Sequence, residues 1–199
     1  MPIVIKSDRD IDLMRQAGKI TAEARSLARS MIEPGVTTKE INKEVFNFIK
    51  KSGATPAFLG YNGYPASICI SVNDQVIHGI PGNRVLKEGD IVSIDVGAKV
   101  DGFHGDNAYT FACGEISPEA QALLDATKES LMRGIAAAQP GNRIGDISAA
   151  VQNYVESLGY SVVRDYVGHG VGRNLHEEPE VPNVGRAGRG VRLAPGMVI

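Results

Sequence analysis

The sequence has no tryptophan, only two cysteines and four histidines, and aromatic residues make up just 6% of its 199 positions. Two cysteines cannot build a disulfide framework. Cys69 and Cys113 sit in apolar runs, which suits reduced thiols in a cytosolic protein. Neither sign of charge is in excess, with 21 Lys+Arg against 23 Asp+Glu and a net charge of −2. That balance removes the electrostatic argument for a nucleic-acid or anionic-membrane partner. No apolar run approaches the ~18 residues of a membrane span. The opening Met-Pro-Ile-Val-Ile-Lys meets charge at once, so no signal peptide is expected. What remains, 43% hydrophobic and 22% charged residues, fits one sizeable folded domain over 1–199 and is too short for two ordinary ones.

Periodicity predicts four helices. The first starts at Ser7, where Ser7 and Asp10 have capping-box spacing, and carries an apolar stripe from Ile11 to Met31 before Pro34-Gly35. The second runs from about Thr38 to Lys51 and stops at Gly53. The third starts near Ser117-Pro118. The fourth spans about Arg143–Leu158 and ends at Gly159. Ser67–Val72 and Ile91–Val96 read as strands. The chain also repeats itself. Pro34-Gly35, Glu40-Ile41 and Gly53 recur 106 residues later as Pro140-Gly141, Asp146-Ile147 and Gly159. Leu86-x-x-Gly89 recurs 107 residues later as Leu193-x-x-Gly196. Two matches at nearly one offset predict a duplicated α+β half, an arrangement that tends to place its site between the halves.

The segment Ile91–Asp106 carries a hairpin signal at Asp101-Gly102. With those two residues as the loop, Val100 opposes Phe103 and Asp106 opposes Gly97. Asp95 and Asp106 then share a face as diagonal neighbours, ~7–8 Å apart and within reach of a common ion. A bulge at His104-Gly105 would shift this register by one. Gly97 is expected to leave open space opposite Asp106, Asp101 to serve as the turn residue, and His104 to lie on the hairpin surface. The hairpin alone supports two readings equally, two solvated aspartates or a pair sharing a cation. The apolar run Ile91–Ile94 before Asp95 favours the second, because burying unpaired charge is costly.

Val167–Pro179 surrounds His169 with three glycines and adds His176. Glycine at that density forbids a helix, and no Gly-Lys-Ser/Thr follows to make a phosphate loop. Such glycines let the backbone approach a ligand and aim an imidazole. A lone histidine is more often structural, but His78, His169 and His176 all lie in Gly/Pro-marked segments. Two aspartates and a histidine would suit Mn2+, Fe2+, Co2+ or Zn2+ and exclude soft Cu(I). Histidines outside that set would bind substrate or stabilise an oxyanion.

Four motifs in order resemble one family. They are Thr55-Pro-Ala-Phe-Leu-Gly-Tyr61-Asn-Gly-Tyr64-Pro, Ser71-Val-Asn-Asp-Gln-Val-Ile-His78-Gly-Ile-Pro, Asp95 with Asp-Gly-Phe-His-Gly-Asp106, and Gly-His169-Gly-Val-Gly-Arg-Asn-Leu-His176-Glu-Glu-Pro. Together, across essentially the whole chain, they resemble the type I methionine aminopeptidases among the pita-bread metallopeptidases. The resemblance implies an α+β pita-bread fold with pseudo-two-fold halves, each an antiparallel sheet backed by helices. It implies hydrolytic removal of initiator methionine from peptides and nascent proteins with a small second residue. Asp95, Asp106 and His169 match metal ligands. His78 matches the residue at the amide beyond the scissile bond, and His176 the one at the scissile carbonyl. Phe58, Tyr61, Tyr64, Cys69 and Leu175 match the methionine pocket, where aromatics and a thiol suit a thioether. Phe58 departs from the cysteine that relatives often carry there.

The implied cofactors are divalent metals at two sites, Co, Mn, Fe or Zn. The implied partners are peptide N-termini starting with Met, and association with the ribosome is admitted. Nucleic acid and membrane are not expected, and a cytoplasmic monomer is. A proline-directed peptidase of the same fold is disfavoured by the pocket loop, and the type II enzyme by His78-Gly-Ile-Pro. A peptide-binding module without activity is disfavoured because every ligand position up to Ile199 is filled. The family continues with two glutamate ligands beyond Gly-Met-x-x, so the chain is expected to be a C-terminally truncated form, inactive or weakly active. The repeat carries the same expectation. Asp95 lies six residues after Gly89, and the equivalent of Gly196 would put an acidic ligand at position 202.

Overall fold

The computed structural model describes residues 2–199. In chain order the elements are α1 Asp8–Ser30, α2 Thr38–Lys51, β1 Thr55–Pro56, a single 3-10 turn Tyr61–Gly63, β2 Ile68–Val72, β3 Ile91–Val100, β4 Phe103–Ala112, α3 Pro118–Ala137, α4 Ile144–Ser157, β5 Gly168–Gly170 and β6 Glu177–Val181. Two compact units divide the chain. The N-terminal unit holds Arg9–Ala120 with Gly172–Leu175. The C-terminal unit holds the chain start through Asp8, Gln121–Val171 and His176–Ile199.

In the N-terminal unit β1, β2 and β4 all pair antiparallel with β3. Pleating sends alternate residues of β3 to opposite faces. Val92, Ile94, Val96 and Ala98 point into the core with Ile68, Ile70 and Val72 of β2. Ala24 and Ala28 of α1 and Ile41, Val45 and Ile49 of α2, each four residues from the next on its helix, close that core. Helix α2 starts on a reciprocal cap. The Glu40 amide donates to Thr37 Oγ1 at 3.2 Å, and the Thr37 amide donates to Glu40 Oε2 at 2.8 Å. This cap and its contact with Thr37 hold the Glu40 carboxyl below its usual range.

The C-terminal unit repeats the frame. α4 is α2 moved by 106 positions, with 14 residues in each. In the N-terminal unit the Gly35 amide donates to the Leu86 carbonyl at 2.9 Å, and the Leu86 amide returns to the Val36 carbonyl at 2.8 Å. In the C-terminal unit Gly141 donates to Leu193 at 3.0 Å, and Leu193 returns to Asn142 at 2.7 Å. The antiparallel bridges Thr37–Val85 and Arg143–Arg192 occupy matching positions. The duplication expected from the two motif offsets is therefore present in the backbone hydrogen bonds of each unit. Ile144, Ile147 and Leu193 form the buried cluster here, flanked by Ala137, Ala138, Val181 and Met197. β5 and β6 form a two-stranded antiparallel hairpin with an irregularity between His169 and Gly170. No helix among the described residues is long and apolar enough to cross a membrane.

Candidate active site

The hairpin register is the one the Asp101-Gly102 loop predicts. Val100 pairs with Phe103 and Gly97 with Asp106, with no bulge at His104-Gly105. Asp101 takes a left-handed φ of 49° and Gly102 one of 85°, as that loop requires. Asp95 is opposite Cys69 of β2 on one side and Ala108 of β4 on the other. Cys69, Asp95 and Asp106 thus lie on the sheet face turned away from the core.

Asp95 is the electrostatic centre of this face. Burial pushes its carboxyl up to about 8, and the charge of Asp106 and a side-chain hydrogen bond from it push in the same direction. Its Oδ1 is buried and has no hydrogen-bond partner among the described residues. A buried, partnerless carboxylate oxygen beside a second carboxylate is costly unless a cation lies between them. Hard divalent ions take such oxygens as ligands, so the two aspartates fit a metal. Among the described residues no group of three or more His, Cys, Asp or Glu is arranged to hold a metal ion.

Two expectations on this hairpin are corrected. Gly97 does not leave open space, because a Cβ there would run into the Phe58 ring. The glycine admits the aromatic ring of the pocket loop. His104 is not on the surface either. It is 8% exposed, and its amide and Nδ1 both reach the Gly172 carbonyl, at 2.8 and 3.2 Å. The signal was present in the sequence, since His104 is two residues from Asp106 and so shares its face. Burial holds the His104 imidazole below its usual range. Arg173 stacks on Phe103 at 4.4 Å, a second tie from the same segment to the hairpin. These ties fix Gly172–Leu175 on the N-terminal unit.

Leu175 consequently joins Phe58 and Cys69 in a buried cluster flanked by Ala57 and Tyr64. Four of the five expected pocket residues meet there. Tyr61 stands outside the cluster, 40% exposed. The Tyr64 hydroxyl lies 2.9 Å from the Gly79 carbonyl and 3.2 Å from that of Ile68. Burial, helped by a hydrogen bond with Cys69, raises the Tyr64 phenol. Burial pushes the Cys69 thiol up to about 11, against the lowering effect of that same bond. Both groups stay neutral, and the cluster is an uncharged slot beside Asp95.

His78 is exposed and held at φ 56°. Its neighbour fixes it there. The Gly79 amide donates to Ser71 Oγ at 3.0 Å, and the Gly79 carbonyl accepts from the Ile70 amide at 2.9 Å. A Cβ on Gly79 would lie 2.8 Å from the Ile70 carbonyl carbon and 2.9 Å from Ser71 Cα, so only glycine fits.

In the C-terminal unit His169 and His176 stack with ring centroids 4.1 Å apart and planes at 39°. His169 Nδ1 is 2.9 Å from the Gly170 carbonyl. A carbonyl only accepts, so Nδ1 donates this hydrogen bond, which leaves Nε2 as the nitrogen that a metal would take.

The model of metallopeptidase family M24 matches residues 12–199. The chain belongs to metallopeptidase family M24. The methionine aminopeptidase of Clostridium acetobutylicum is 56% identical over 198 residues, 99% of this chain and 79% of that protein. Methionine aminopeptidase 1 of Bacillus subtilis is 52% identical over 197 residues, again 99% and 79%. The crystal structure of methionine aminopeptidase from Rickettsia prowazekii superposes with a TM-score of 0.97 at 43% identity, covering 98% of this chain and 79% of that one. The M24 chain has the pita-bread fold. Its family chemistry is metal-dependent peptide hydrolysis.

Proposed function

We propose that the chain is a type I methionine aminopeptidase, removing initiator methionine from peptides and nascent proteins whose second residue is small. The observation that carries this reading is the buried, partnerless Asp95 Oδ1 next to the slot formed by Phe58, Cys69, Leu175 and Tyr64. An apolar, neutral slot beside paired carboxylates suits an unbranched thioether whose own α-amino group and carbonyl lie at the charged end. The relatives' shared name and their 52–56% identity support the same substrate.

Asp95, Asp106 and His169 are proposed as ligands for divalent metal, at two sites in all, with Co, Mn, Fe or Zn as candidates. When bound, metal supplies Lewis acidity at the scissile carbonyl. The chain's own residues do the rest. Phe58, Tyr64, Cys69 and Leu175 exclude water around the methionine side chain, with Tyr61 at the exposed edge. His176 donates to the scissile carbonyl oxygen as charge develops there, and His78 holds the amide beyond it. The proposal includes a cytoplasmic monomer that takes Met-starting N-termini and associates with the ribosome.

The test uses the protein expressed from its complete gene. Methionine release from a Met-Ala peptide should require Mn2+ or Co2+ and stop with chelator. Release of Xaa from an Xaa-Pro peptide in place of methionine from Met-Ala would replace this reading with a proline-directed one. No cleavage of either peptide, with metal bound, would leave a peptide-binding module.

A further inference from the structure

Lys6 is a buried cation that the reaction just described does not use. It is 6% exposed as a residue, and its side chain only 3%. Its ammonium donates to Glu177 Oε2 at 2.7 Å and to the Val4 carbonyl at 3.1 Å. The Glu177 side chain is also buried, at 8% exposure. A buried ion pair is weak evidence for stability, since desolvation offsets most of the attraction. Its presence calls for another reason.

The backbone on both sides supplies one. The Lys6 amide donates to the Gly196 carbonyl at 2.8 Å, which docks the segment carrying the lysine. Gly196 has φ 86°, and a Cβ on it would lie 2.7 Å from Ile5 Cγ2 and 2.9 Å from the Lys6 carbonyl oxygen. The docking position is therefore fixed. At the other end Glu177 follows His176 in the chain and pairs with Gly170, the residue after His169. A Cβ on Gly170 would lie 2.9 Å from the Glu177 carbonyl oxygen, so this approach too is close. The residue bearing the carboxylate is thus one position along the chain from His176 and is paired with the residue after His169.

The hairpin holding these imidazoles cannot fix its own register. β5 has only three residues, and the ladder is irregular between His169 and Gly170. Short, interrupted ladders are weakly specified, and an anchor from outside must set them. We infer that Lys6 is a positioning residue, whose ion pair with Glu177 sets the β5–β6 register and with it the relative placement of the His169 and His176 rings. This rests on the roles proposed for the two histidines only for its effect on turnover.

The test is a 15N-histidine spectrum of the metal-free chain. The chain has four histidines, and His78, in the other unit, serves as the internal reference. In Lys6→Met the His169 and His176 imidazole signals should move while that of His78 stays. A second variant, Lys6→Met/Glu177→Leu, removes both charges and is expected to recover the melting temperature. Its His169 and His176 signals should remain displaced, which a merely structural ion pair would not produce. If Lys6→Met does not fold, the double variant carries the test alone. His169 and His176 signals at their original positions in the folded variants overturn the inference. In the complete gene product kcat should fall by about tenfold or more, with KM within about threefold, because misplacing a reacting group costs turnover. An unchanged kcat in His176→Ala would refute the catalytic reading and leave the spectroscopic result standing.

Discussion

The two units share a hydrogen-bond frame and differ in what fills it. α2 and α4 have the same length, and the turns that precede them make the same crossed backbone bonds to the strand-like segments at Leu86 and Leu193. Behind α2 lies a core of fifteen buried residues, whereas the α4 cluster has three among the described residues. Leu131, Met132 and Ile135 of α3 are more than half exposed. The chemical groups differ in the same way. The N-terminal unit presents carboxylates on a hairpin of two ten-residue strands, and the C-terminal unit presents imidazoles on a short, irregular one. Equal local geometry therefore does not confer equal stability or equal chemistry. The core decides the first, and the side chains on the face opposite it decide the second.

The sharpest break of this comparison is chemical. Asp106→Ala in the complete gene product should abolish metal-dependent turnover and weaken Mn2+ binding by calorimetry. Unchanged binding would show that the carboxylate pair does not hold the ion. His176→Ala, from the other unit, should lower kcat by ~10²-fold or more with metal content intact, as loss of a donor to developing charge does. Loss of metal in that variant would make His176 a ligand in place of a donor.

Equivalent core positions sharpen the contrast in stability. Ile41 is fully buried and its repeat partner Ile147 is 8% exposed. Ile41→Ala should cost ~3–5 kcal/mol in urea unfolding and Ile147→Ala about 2 kcal/mol, because the sparser cluster relaxes more readily. Equal costs would contradict the difference in core size.

The metal-free protein should also show the carboxylate pair in its pH dependence. Burial and the neighbouring Asp106 push the Asp95 carboxyl of the folded chain up from the ordinary aspartate value to about 8. The folded state binds the proton more tightly, so this contribution is fully present below about pH 4 and lost as pH rises through about 8. With chelator present, the difference in melting temperature between the natural chain and Asp95→Asn should move against the natural chain across that window. A constant difference would refute the shift. The smallest effect is at the helix starts. Thr37→Ala should cost ~1 kcal/mol through loss of the α2 cap. In α4 the equivalent residue, Arg143, has no side-chain oxygen to cap with, and Arg143→Ala should cost less in the same unfolding assay.

Local physics made much of this readable from sequence. The turn signal Asp101-Gly102 fixes a two-residue loop, and a two-residue loop fixes every pair along β3 and β4, including Gly97 with Asp106. Helix stops at Gly53 and Gly159 follow from positive φ values of 77° and 83° that glycine tolerates. The offsets of 106 and 107 between like motifs carry the duplication, because each copy needs the same turn and helix start.

Sequence alone thus determined the helices, the hairpin register, the repeat and the family, since each depends on residues close in the chain or on a motif read in order. Only the tertiary structure decided three further points. Phe58 fills the space over Gly97. His104 is buried, because Gly172, 68 residues away, supplies the carbonyl that both its donors reach. Lys6 is tied to Glu177 across 171 residues. The physical reason is common to all three. Turn, cap and register preferences act over a few residues. A buried polar partner is chosen by what the fold brings within ~3 Å, and nothing in either residue's neighbourhood along the chain records that choice.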